Sequence, residues 1–184
     1  MRPSISGPRD GGAAYYRAVT ILTPSRLWKE MTAEQRRHAA SALWDADEAK
    51  SDQLQAAAAI AKHMKFRPKS VRALDRDRKA RYLAGVPDLS EELAARLLML
   101  YHLAEQRPLM GAFLDALGIA HENGLIQEDT ATPDPTKIPS AVAAIAKLFP
   151  AADVSLYLHT LLWQDPSAWA ALEGVPEVTA GSSS

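Results

Sequence analysis

The sequence predicts an all-α fold, a single compact domain of seven to nine helices packed around a buried central helix at about 89–106. Three observations point there. Ala (34 residues) and Leu (22) are strong helix formers, and they far outnumber the strand formers Val (7) and Ile (7) in a chain of 184. Apolar residues recur at helical spacing between cap and stop signals along most of the chain. Between Leu93 and Ala104 only Arg96 and His102 are chargeable, and a helix apolar on nearly every side is one that others cover. A chain of this length buries roughly 70% of the surface it exposes when unfolded, so it needs no metal or disulfide to hold it. With no cysteine present, thiol catalysis, thiolate zinc sites and disulfides are excluded.

Residues 1–22 read as a leader, Gly/Pro-rich at first, with 13–22 open to a short strand or a helix turn. Residues 23–127 form the helical core. Thr23-Pro24 supplies an N-cap and a first-position proline for a short helix carrying Leu27, Trp28 and Met31. Thr32-Ala33-Glu34-Gln35 is a capping box opening a second helix to about Trp44. Asp47 or its neighbour starts a third, through Leu54, Ala56–Ala59, Ile60 and Met64. Pro68 breaks it and opens a helix at 69–83, stopped by Gly85-Val86-Pro87.

Asp88-Leu89-Ser90-Glu91 fits a capping box for the central helix, whose stripe is Leu89, Leu93, Leu97, Tyr101 and Ala104. Pro108 opens a further helix, Gly118-Ile119 has the composition of a Schellman stop, and Asn123-Gly124 reads as a turn. Residues 128–138 are a Pro-rich linker. Helices at about 139–149 and 152–164 then pack on the same core, and Asp165-Pro166 caps a last one that Gly174 and Pro176 stop. Residues 177–184 read as a disordered tail.

The formal net charge of −1 conceals a segregation. Residues 62–81 hold nine basic and two acidic side chains, whereas 82–184 hold four basic and thirteen acidic. Such asymmetry points to an anionic partner. On a continuous helix Lys69, Arg72, Arg76 and Lys79 fall at steps of three and four, so they share one face, with Lys65 and Arg67 at the preceding turn. These six are the candidate anion- or nucleic-acid-binding residues, since Arg and Lys arrays neutralise phosphates and release counterions. The blander account is a solvated face, supported by Asp75–Lys79 and Asp77–Arg81 at four-residue spacing.

Other chemistry is sparse. His102 and Glu105 lie one turn apart, but a di-iron bundle needs two Glu-x-x-His pieces in the opposite order. His121-Glu122 begins like a zinc-protease motif that Asn123-Gly124-Leu125 breaks. No nucleophile elbow, Walker loop or dinucleotide fingerprint is present, so no catalytic residue, metal or cofactor is expected. Glu91 and Glu92 sit where a helix N-terminus favours acids, and Trp28, Trp44, Trp163 and Trp169 read as core or junction packing.

The leading expectation is a non-catalytic interaction or assembly module, with a protein partner or self-association. The main rival is a nucleic-acid-binding accessory protein using the helix at 69–83. A third reading is a small helical enzyme or ligand binder near His102, Glu105 and Tyr101. No apolar run approaches the ~20 residues of a membrane span, so no membrane partner is expected and a cytoplasmic location is.

Overall fold

Local caps set most of the elements. In a computed structural model describing residues 21–127 and 132–179, the described chain forms ten α-helices, one 3-10 helix and a two-residue β-ribbon. The readings on 1–20, 128–131 and 180–184 lie outside those residues, and Ile21 and Leu22 belong to neither helix nor strand.

Helix α1 (Pro24–Glu30) starts at Thr23-Pro24, but the Thr23 side chain caps nothing. Glu91, in the first turn of another helix, takes the Ser25 N–H at 3.0 Å and the Ser25 hydroxyl at 2.6 Å. Helix α2 (Ala33–Asp45) has the expected capping box: Thr32 Oγ1 accepts from Gln35 N–H, and Gln35 Oε1 accepts from Thr32 N–H. Helix α3 spans Lys50–Met64, later than the expected start near Asp47, with Ala49 as an N-cap that has no side-chain bond.

The continuous helix expected at 69–83 is not formed. Helix α4 (Pro68–Arg72) ends within two turns and α5 (Arg76–Ala84) begins anew. Asp75 is the cause: extended, it accepts the Arg78 N–H at 2.8 Å, and Asp favours an N-cap over a helix interior. Dividing this helix contributes to a helix tally above the expected seven to nine.

The central helix α6 covers Glu91–Glu105, with Ser90 as cap in place of Asp88. After α7 (Arg107–Leu117), Gly118 at φ 73 and the bond from Ile119 N–H to Leu114 O form the expected Schellman stop. Asn123 and Gly124, both at positive φ, are the turn of a hairpin joining β1 (His121–Glu122) to β2 (Leu125–Ile126), with His121 opposite Ile126. Helices α8 (Ile138–Ile145) and α9 (Ala151–Gln164) follow, then a 3-10 turn (Ala170–Gly174). Pro176 does not stop the fold. It opens α10 (Pro176–Thr179), whose Val178 is fully buried inside the stretch expected to be a tail.

The buried side chains form two clusters. Leu27, Trp28, Leu43, Ile60, Leu83, Leu93 and Leu97 centre the first, built from α1 to α6 with Leu156 of α9. Leu109, Phe113, Ile138, Val154, Leu158 and Leu172 centre the second, built from α7 to α10. The clusters meet along α6 and α9, and there the buried polar residues gather: Gln35, His102, Gln106, His159 and Thr160. Helix α9 contributes to both clusters, Leu156 to the first and Val154, Tyr157, Leu158 and Leu162 to the second, whereas the apolar side of α6 belongs to the first alone. No helix among the described residues is long and apolar enough to cross a membrane.

Candidate functional site

The basic segment divides at the Asp75 break. Helix α3 ends on Lys65 in the left-handed conformation (φ 56), with Phe66 N–H bonded to Ala61 O at 2.9 Å. Pro68 then holds Arg67 extended. The result is an exposed corner between α3 and α4 carrying Lys65, Arg67, Lys69 and Arg72. None of these four pairs with a carboxylate of the described residues. Phe66 lies among them, partly exposed and edge-on to Tyr82 at 5.7 Å.

Arg76 and Lys79 do not join that corner, which corrects the single basic face expected from the sequence. Arg76 forks onto Asp45 of α2, with Nε to Oδ1 at 2.7 Å and Nη2 to Oδ2, and bonds Asp77 at 2.8 Å. The bond from Arg76 holds the Asp45 carboxyl below its usual range. Lys79 Nζ sits 5.5 Å from the centroid of the Trp44 ring. The expected Asp75–Lys79 and Asp77–Arg81 pairs are replaced by Arg78–Asp75 at 3.3 Å and Arg76–Asp77. Two of the six candidates therefore fasten α5 to α2, and four face outward.

His102, Glu105 and Tyr101 do not converge either. Glu105 meets His38 at 3.6 Å on the surface. The Tyr101 hydroxyl donates to Asp153 at 2.8 Å, and burial pushes its pKa up. His102 is buried between α6 and α9, its Nε2 3.0 Å from Thr160 Oγ1, and burial pushes its pKa down to about 4. Among the described residues no three His, Asp or Glu side chains are placed to hold a metal. His121 serves the hairpin turn: Nδ1 accepts the Gly124 N–H at 3.1 Å, so Nε2 carries the proton given to Asp115 at 3.1 Å.

One feature escaped the sequence reading. A cavity of about 260 Å³ opens between α6, α7, α9 and the hairpin, with Trp169 also in its wall. The only signal for it was Asn123-Gly124 ahead of the apolar pair Leu125-Ile126, which marks a hairpin but not what it covers. The chain matches no protein-family model, no curated protein and no solved structure.

Proposed function

We propose that the chain is a non-catalytic interaction module whose corner at Lys65, Arg67, Lys69 and Arg72 engages an acidic protein surface, a second copy of the chain included. The carrying observation is that none of these four cations pairs with a carboxylate among the described residues. Carboxylates of the acidic half are engaged elsewhere: Asp88 by Lys29, Glu91 by Ser25, Glu105 by His38 and Asp115 by His121. No ion pair among the described residues joins that half to 62–81. A cluster of unpaired cations favours association with an acidic surface, steered by complementary potential. The absence of cysteine fits a reducing, cytoplasmic setting.

Sedimentation velocity at about 0.1 M and about 1 M salt tests this, because the Debye length falls from ~10 to ~3 Å over that range. Association at the lower salt, lost at the higher and lost in Arg67→Glu/Arg72→Glu, is the expected result. A monomer under both conditions that also ignores a poly-glutamate probe overturns the proposal.

Phe66 favours a second reading. An exposed aromatic between Lys65 and Arg67 is the arrangement on which a base stacks while phosphates meet the cations. Four phosphate contacts give single-stranded nucleic acid a log–log salt slope of about −3. A labelled oligonucleotide that binds with that slope, and more weakly to Phe66→Ala, would establish it in place of the first.

A further inference from the structure

We infer that the cavity between α6, α7, α9 and the hairpin is a binding site for a neutral, largely apolar small molecule of about two rings that carries one hydrogen-bond donor. Its walls are Met99, Leu103, Met110, Leu114, Tyr157 and Leu161 with their neighbours, and among the described residues no acidic or cationic side chain lines it. Ions are thereby disfavoured, because nothing there repays their desolvation. Six large apolar side chains of the described residues are exposed, and three of them, Met99, Leu125 and Ile126, stand at this one cavity. Apolar surface gathered at a concave site marks ligand binding. A cavity of about 150 Å³ takes benzene, so about 260 Å³ accommodates a second ring.

The donor follows from proton accounting at His102 and Thr160, which both line the cavity. The Thr160 hydroxyl gives its single hydrogen to Leu156 O at 2.8 Å. It can therefore only accept at its 3.0 Å contact with His102, so Nε2 of the imidazole is the donor there. Burial keeps the ring neutral at pH 7, which leaves Nδ1 a bare acceptor, and it has no partner among the described residues. A buried acceptor without a partner carries an unrecovered desolvation cost. Nδ1 itself has no exposed surface, so a ligand hydroxyl or N–H recovers it only where a neighbouring wall side chain gives way, the Nε2–Thr160 bond being kept.

Calorimetric titration of the full chain with 2-naphthol and with 2-methylnaphthalene tests the assignment. One saturable site per chain is expected, tighter for 2-naphthol by about three- to tenfold, the worth of one hydrogen bond. Leu125→Glu, at the exposed rim, should weaken binding at least tenfold, whereas Leu148→Glu, an exposed apolar residue outside the cavity wall, should leave it unchanged. Thermal melts confirm that both variants fold. Non-saturable uptake, or equal losses in the two variants, would show adhesion to exposed apolar surface and overturn the site. Equal affinity for the two naphthalenes would overturn the donor.

Discussion

The Tyr101 hydroxyl donates to Asp153 Oδ1 at 2.8 Å, and that bond ties α6 to α9 where the two apolar clusters meet. Gln35 Nε2 donates to the same oxygen at 2.7 Å, and Gln106 Nε2 donates to the Tyr101 oxygen at 2.8 Å. A partly buried network of this kind fixes which faces of the helices meet, because any shift would strand its polar atoms.

Gln35 holds two positions in that arrangement. Its Oε1 closes the α2 capping box on Thr32 N–H while its Nε2 reaches Asp153. Gln35→Glu keeps the first bond and turns the second into a repulsion between carboxylates. We expect a loss of about 2 kcal/mol at pH 7. Asp153→Asn in the same chain should restore part of that loss. Urea denaturation of the single and double variants measures this. A single variant as stable as the wild type would show that the network contributes little.

His102 makes stability depend on pH. Its folded pKa of about 4 lies below the ordinary ~6.5 because burial disfavours the imidazolium. Between these values the unfolded chain binds a proton that the folded chain refuses. Stability is therefore full above pH 6.5, falls as pH drops toward 4, and loses about 3 kcal/mol over that window. Burial pushes His159 down as well, in the same direction. Denaturation at pH 7.5 and pH 4.5 should show a smaller drop for His102→Gln than for the wild type. Equal drops would assign the dependence to other groups.

The sequence was most legible where the determinant is local. The Thr32–Gln35 box and the Gly118-Ile119 stop stand where the residues put them, because a cap needs only partners three to five positions away. Asp75 is local too, yet the even spacing of the neighbouring basic residues masked its capping strength. Glu91 was legible as a first-turn acid, but not as the residue that bonds the start of α1, since that pairing spans 66 positions. The same limit hid the seam: nothing in Gln35 or Asp153 alone says that they meet. The cavity needed the hairpin, α6 and α9 in one place, which no window of the sequence contains.

Gly124 sets the hairpin against α7. It sits at φ 81, and a Cβ there would stand 2.8 Å from Met110 Cβ and 3.0 Å from Arg107 O. Gly124→Ala meets both penalties, a left-handed backbone and a backbone clash that cannot relax cheaply. We expect a cost of about 1–3 kcal/mol, concentrated in the hairpin. Amide exchange at Leu125 and Ile126 should accelerate more than exchange in α2. Uniform acceleration would mean that the hairpin and the helices unfold as one unit.

Arg76 and Arg72 should separate stability from association, although the sequence sets them four residues apart in one basic run. Arg76→Ala removes the fork on Asp45 that joins α5 to α2. Because the pair is about half-exposed, we expect a loss of no more than about 1 kcal/mol. Arg72→Ala, at the open corner, should stay within about 0.5 kcal/mol of the wild type. Salt-dependent association should respond in the opposite order, falling in Arg72→Ala and holding in Arg76→Ala once the folded fractions are matched. Thermal melts and sedimentation on the same two samples decide the matter. If both variants lose association equally, the basic run acts as one surface and the Asp75 break does not divide it.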